Sequence, residues 1–263
     1  MLIDVHAHFF HPTGPRADWA ERNASRLRAG EQIGITRHVA SILGSWGRTS
    51  PTYFPSAADI VAGNDALLAL IAEHPDRIRG YACVNPNYTE HAVAEIDRCL
   101  AAGMIGIKLA ASRRANDPLL DPICERALGH RVPILHHIWQ HRRTEWLGQE
   151  ASDAVELGEL AVRHRDVAFI LAHIGGGGDW QHSLRAVRPL DNVYVDLSGS
   201  GVDGGMLEAC LSAVGAERLL WGCDITMCTG WGKLRHLERV LSLDDIERVR
   251  WRNAARIFPA GLS

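Results

Sequence analysis

The sequence predicts an α/β fold, a TIM (β/α)8 barrel in a single domain over residues 1–263. Three observations carry this. Eight short, apolar, β-branched segments alternate with stretches of helical periodicity, the mark of parallel βαβ units. Several of those segments end in histidine or aspartate, and a barrel gathers the C-terminal ends of its strands at one mouth. No linker, repeat or low-complexity run divides the chain, whose 263 residues suffice for one large barrel. A doubly wound sheet is the alternative, but it gathers strand ends only near its switch point.

The first strand, 3–9, carries two histidines two apart. Residues i and i+2 of a strand share a face, so His6 and His8 project together, with Asp4 below them on the same face. Two neutral imidazoles held that way are half of a site for zinc or a similar divalent ion. An isolated His-x-His is more readily explained by two hydrogen-bonded histidines at a strand end. His11, in the loop that follows, reads as a surface residue, with a substrate contact as the alternative. A polar helix over 19–29 leads to the second strand, 38–44, whose trailing loop carries Trp46 and Arg48. Ser56 with Asp59 three positions on opens a helix that stops at His74-Pro75. The third strand, 78–84, ends at Asn85-Pro86-Asn87. Thr89 caps the next helix, which stops at Gly103.

The fourth strand, 104–109, puts Ile105, Ile107 and Leu109 on one face, Gly106 and Lys108 on the other. Lys108 either shares a crowded interior with something charged or snorkels to water; Arg113 and Arg114 follow in the loop. A helix near 118–128 leads to the fifth strand, 131–137, which closes on His136 and His137. Only one of these can face inward, because neighbours on a strand point opposite ways. A helix over 152–164 precedes the sixth strand, 167–173, ending on His173. It runs into Gly175-Gly176-Gly177-Gly178, which would let backbone approach a ligand closely but lacks the spacing of a dinucleotide fingerprint. The seventh strand spans 192–198, a helix follows near 205–214, and the eighth strand, 218–224, ends on Asp224. Two helices close the chain, the last opened by Ser242 with Asp245.

Composition narrows the partners. The formal net charge is −3 with no long basic or acidic run, which argues against nucleic acid or an anionic membrane surface. Six cysteines without a Cys-x-x-Cys pair read as reduced thiols, core or near-core, in a cytoplasmic protein. Neither a signal peptide nor an apolar run of bilayer length is read. The oligomeric state stays open, a homodimer included.

His6, His8, His137 (or His136), His173 and Asp224 therefore stand at the ends of strands one, five, six and eight. One such ending means little. Four are hard to explain as satisfied core polars, and together they point to a metal site that keeps a position open for water. A neighbouring carboxylate or imidazole can then take a proton. Arg48, Lys108, Arg113 and Arg114 near the mouth point to a small carboxylated substrate, although each loop arginine is as readily a solvated one. Trp46, Trp139 and Trp180, in loops after strands two, five and six, are candidates to wall a planar substrate.

Six motifs, in order, span nearly the whole chain: Asp4-Val5-His6-Ala7-His8-Phe9, Gly106-Ile107-Lys108-Leu109, Pro133-Ile134-Leu135-His136-His137, Ala172-His173-Ile174-Gly175-Gly176, Trp221-Gly222-Cys223-Asp224 and Asn253-Ala254-Ala255-Arg256-Ile257-Phe258. On these the chain resembles the amidohydrolase superfamily, in particular the group that includes aminocarboxymuconate semialdehyde decarboxylase and lactone hydrolases of aromatic catabolism. The resemblance implies that His6, His8, His137 and Asp224 hold one divalent metal, zinc first, with manganese or another divalent ion as alternatives. His137 is preferred over His136 because the family's ligand stands four residues after the proline. His173 would activate or orient water, or polarise the substrate, and Asp224 would double as general base. In binuclear members a carboxylated lysine on the fourth strand bridges two metals, so a second metal on His137, His173 and Lys108 is the alternative. The implied reaction is hydrolysis of an ester, lactone or amide by a metal-activated water. Non-oxidative decarboxylation of an aromatic or unsaturated acid is the runner-up, disfavoured because the chain lacks the longer insertions expected of the decarboxylases. A metal-binding scaffold without turnover is the reading from another class.

Overall fold

Every strand expected from the sequence is present, and several are shorter than expected. The computed structural model describes residues 1–44, 48–139, 146–176, 178–201, 203–258 and 262. The strands are β1 (Ile3–His8), β2 (Arg37–Ser41), β3 (Ile78–Val84), β4 (Gly106–Leu109), β5 (Ile134–His136), β6 (Phe169–Leu171), β7 (Val193–Asp196) and β8 (Leu219–Leu220). They form one sheet in sequence order, each pair parallel. The sheet closes where the Val5 amide donates to the Trp221 carbonyl at 3.1 Å and the Asp224 amide to the His6 carbonyl at 2.6 Å. The result is a (β/α)8 barrel, and the doubly wound alternative falls.

Helices α1 (Trp19–Ile33), α2 (Ala57–Glu73), α3 (Thr89–Ala101), α4 (Asp121–His130), α5 (Ala154–Arg163), α6 (Trp180–Val187) and α7 (Met206–Val214) separate the strands. After β8 come α8 (Met227–Val240), α9 (Leu243–Glu247) and, past a π-helical turn at Arg248–Arg252, α10 (Asn253–Ile257). The expected caps at Ser56 and Ser242 form: each side-chain oxygen accepts the amide three residues on, from Asp59 and Asp245. Thr89 departs from expectation. It is the first residue of α3, and its hydroxyl donates to the Pro86 carbonyl instead of capping. Helix α6 is hidden in the sequence because it is only 8 residues long and follows the glycine run; Asp179 caps it.

Two apolar layers result. Ile107, Leu109, Ile134, Phe169, Leu171, Val193, Val195 and Leu219 pack under the helices. Ile3, Val5, Val39, Tyr81, Leu135, Ile170 and Leu220 fill the interior, with Ala254 and Phe258 against them. Gly106 is required because an added Cβ would stand 2.6 Å from the Tyr81 ring.

β1 breaks the expected alternation. Its pairing with β2 shifts register between Asp4 and Ala7. Ile3 and Val5 join the interior cluster while Ala7 and Phe9 join the layer under α1 and α2. Asp4 therefore does not share the face of His6 and His8. Its carboxylate turns to α1 and β2, taking Arg26 Nη2 at 2.8 Å and His38 Nδ1 at 3.1 Å, and the Cys223 amide at 2.9 Å. Asp4 thus ties together the first and last strands and the first helix. Burial alone would raise its pKa, but Arg26 and His38 hold it below the usual carboxylate value. Asp4→Ala would leave Arg26 buried without its counter-charge and His38 Nδ1 without its acceptor. It should cost about 3–5 kcal/mol, read from the midpoint of urea unfolding, and an unchanged midpoint would contradict this role.

Candidate active site

At the C-terminal end of β1, three electron-pair donors converge. His6 Nε2 lies 3.2 Å from His8 Nε2. Asp224 Oδ1 lies 3.4 Å from His8 Nε2 and 4.0 Å from His6 Nε2. Among the described residues this is the group of histidine, cysteine and acidic side chains whose geometry can hold an ion. Donor atoms about 2.0–2.2 Å from one ion stand about 3–3.5 Å apart at near-tetrahedral angles, which the two imidazoles match. His6 and His8 are buried and Asp224 is partly exposed.

The far side of each ring is pinned. His6 Nδ1 meets Asp196 Oδ2 at 2.7 Å and Ser198 Oγ at 3.1 Å. His8 Nδ1 meets the carbonyl of Ser41 at 3.3 Å and its hydroxyl at 3.1 Å. These partners assign the proton to Nδ1 in both rings and leave Nε2 as the ligand atom, an arrangement common to metal-binding histidines. Burial, then the neighbouring His6, drives the His8 pKa well below its ordinary value, which also leaves Nε2 open to a cation.

The backbone is bent to serve the site. His173 and Asp224 have φ of +42° and +56°, a left-handed conformation that costs a non-glycine residue on the order of 1–3 kcal/mol. Both are held by hydrogen bonds: the His173 amide donates to Asp196 Oδ2 at 3.0 Å, and Arg26 Nη1 donates to the Asp224 carbonyl at 2.6 Å. Asp196 therefore orients His6 through its ring and His173 through its backbone. Asp196 and Ser198 are absent from the sequence-based site. The signal was there, since an aspartate ends the seventh strand, but the strand was drawn two residues too long.

His137 and His173 stand beside this group. His173 Nε2 is 3.0 Å from His137 Nδ1, and the His6 and His173 rings stack at 5.7 Å. His137 lies outside the three-residue group, yet its Nε2 is buried with no hydrogen-bond partner among the described residues. His136 is paired in register with Leu109, which faces the helices, so it points away from His173. Lys108 is fully buried with Nζ 3.2 Å from His6 Nε2, and the snorkelling reading falls. Burial pushes its ammonium down to about 8 and the His173 imidazole down to about 4. Burial would raise the Asp224 pKa, but the imidazoles of His6, His8 and His173 and the charge of Lys108 hold it well below the carboxylate range.

The proposed substrate cations fare differently. Arg113 is committed to Asp117 and Glu150, and Arg114 to Glu156. Arg48 donates to the Thr13 carbonyl at 2.6 Å from an exposed position. Lys108 remains as the buried cation beside the group. Trp46 lies outside the described residues. Trp139 does reach the site, 5.0 Å from the His137 ring, whereas Trp180 bonds Asp203 and packs on the outer layer. The glycine run makes its close approaches within the protein: a Cβ on Gly175 would collide with Lys233, and one on Gly176 would stand 2.9 Å from the His173 ring.

A barrel that gathers two histidines and an aspartate at the C-terminal ends of its strands defines a class of metal-dependent (β/α)8 enzymes. The family model described as amidohydrolase matches residues 3–260, and the chain belongs to that family. No curated protein matches it in sequence. Among solved structures it is similar to a 2,6-dihydroxybenzoate decarboxylase from Rhizobium, 18% identical over 97% of this chain and 98% of that one, TM-score 0.73. A dihydroxybenzoic acid decarboxylase from Polaromonas sp. with bound manganese and 2-nitroresorcinol is 17% identical over 97% and 96%, TM-score 0.72. A 4-oxalomesaconate hydratase from Rhodopseudomonas palustris is 14% identical over 98% and 96%, TM-score 0.68. The alignments with the decarboxylases span nearly the whole of both chains.

If His6, His8 and Asp224 hold a divalent ion, Asp196→Asn should weaken its binding, with zinc as the probe, by about 10- to 100-fold, because the carboxylate that orients His6 is lost. Competition with a zinc-binding dye measures this, and unchanged affinity would contradict the role given to Asp196.

Proposed function

We propose that the chain is a metal-dependent enzyme that hydrolyses an ester, lactone or amide bond in a small carboxylated substrate. The observation that carries this is the convergence of His6 Nε2, His8 Nε2 and Asp224 Oδ1, with a buried neutral imidazole, His173, alongside. A divalent ion held there would polarise a carbonyl oxygen and bring the pKa of water to about 7. The orphaned Nε2 of His137 makes that residue the candidate fourth ligand. Zinc suits a set of imidazoles and one carboxylate, and manganese is the ion in the Polaromonas relative.

The remaining work falls to the chain's own groups. His173, with its pKa lowered to about 4 by burial, is neutral at pH 7 and accepts a proton. His137 Nδ1 holds the orientation of that ring. Lys108 is still largely protonated at pH 7 and offers a fixed cation to a substrate carboxylate inside the barrel. Six free cysteines, five of them buried, support a reducing, cytoplasmic setting.

Two observations favour specific variants. Two of the similar structures are decarboxylases of dihydroxybenzoic acids, which supports a second reading: the same group binds an aromatic or unsaturated acid that loses carbon dioxide. His137 Nδ1 and His173 Nε2, 3.0 Å apart, repeat the spacing of the first pair and support a second ion near Lys108. Mass spectrometry of products from panels of lactones, aryl esters and aromatic acids separates the reactions. Hydrolysis turns a lactone into one product heavier by one water, and an aryl ester into an acid and a phenol whose masses sum to the ester plus one water; decarboxylation gives a product lighter by carbon dioxide. His173→Asn should keep the first metal and lose about 100- to 10,000-fold in turnover. Turnover at the wild-type rate would remove His173 from the mechanism.

A further inference from the structure

We propose that Tyr53, on the loop between β2 and α2, determines specificity: with Trp139 and Trp146 it selects a flat, conjugated carboxylic acid over a saturated one. This rests on the reading above that the mouth takes a small carboxylate. The Tyr53 ring lies 5.3 Å from the His137 ring and 6.3 Å from the Trp146 ring. On its other side His137 meets Trp139 edge-on at 5.0 Å, and Trp139 reaches the His173 ring at 5.9 Å. Aromatic surface therefore runs without a break from the rim to the imidazoles.

The outer part of this surface is a groove of about 300 Å³ lined by Pro51, Thr52, Tyr53, Trp146 and Leu147. That is the small end of the range for ligand pockets, about 300–1,000 Å³. Trp146 and Leu147 are 57% and 80% exposed, an apolar rim that gains by being covered. Lys108 does not line this groove; it lies buried deeper in the barrel, beside His6, and is the cation on the inner side of the His137 ring that Tyr53 meets. A molecule that satisfies both has a carboxylate pointing inward and a flat apolar body against the rings. The Tyr53 phenol is raised by burial and further by the charge of Asp224, which agrees with its place over the site.

The loop is braced to keep that ring in place. Asp59 on α2 accepts hydrogen bonds from the hydroxyls of Thr49 and Ser50, before Tyr53, and Ser50 Oγ accepts the amide of Ser56, after it. Phe54 packs so tightly on Gly148 that a Cβ there would collide with it, which joins the Tyr53 loop to the segment bearing Trp146. A preset aromatic wall favours a planar π system, which stacks or meets it edge-on, over a thicker ring without a π face.

The test is calorimetric titration of the zinc-loaded chain with benzoate and with cyclohexanecarboxylate, which share charge and approximate size. The wild type should bind benzoate about three- to tenfold tighter. Tyr53→Leu should abolish that preference, and Tyr53→Phe should keep it. Equal binding of the two acids by the wild type, or a preference that survives in Tyr53→Leu, overturns the proposal. Zinc content measured on the same samples reports on the ligand group separately: a benzoate preference without bound zinc supports the slot and counts against the metal reading.

Discussion

Three lone-pair atoms, His6 Nε2, His8 Nε2 and Asp224 Oδ1, are forced together inside a barrel mouth. Unshared electron pairs repel at such distances; the Lys108 ammonium, 3.2 Å from His6 Nε2, offsets part of that repulsion, and the spacing of the donors suits a divalent ion among them. Much of the surrounding structure serves to hold them there. Asp196 and Ser41 fix the two rings, and Asp4 and Arg26 tie the last strand to the first. The left-handed backbone at Asp224 is sustained by the same closure.

The architecture was legible because β-branched runs and helical stripes alternate eight times, and strand-end logic found His6, His8, His173 and Asp224. Parity left His136 and His137 open; the pairing of His136 with Leu109 turns His136 to the helices and His137 to His173. Parity failed at Asp4 because a register shift in β1 lets Val5 and His6 face the same way, which no local pattern announces. Asp196 was missed through an overlong strand. The arginines misled for a different reason: besides Asp117, four residues on, Arg113 pairs with Glu150, 37 residues away, which only the fold brings to it. Tyr53 carries no motif, and its place beside His137 is set by loop packing.

The fold and family restrict the chemistry without choosing the bond that breaks. The similar structures include decarboxylases and a hydratase at 14–18% identity, a level at which they share the barrel and little else with this chain. What this chain adds is particular: a buried lysine against His6, a neutral imidazole pair, and an aromatic wall running outward from them. In the proposed function each would meet a carboxylated molecule at a different depth, the lysine at its charge, the imidazoles at its reacting carbon, the rings along its body.

The central claim is that one divalent cation lies between His6, His8 and Asp224. Anomalous diffraction from crystals grown with zinc, collected on either side of the zinc absorption edge, tests it most directly. A peak within about 2.0–2.2 Å of His6 Nε2, His8 Nε2 and an Asp224 oxygen is the result expected. A mouth without anomalous density at saturating zinc, or a peak bound elsewhere, would contradict the account.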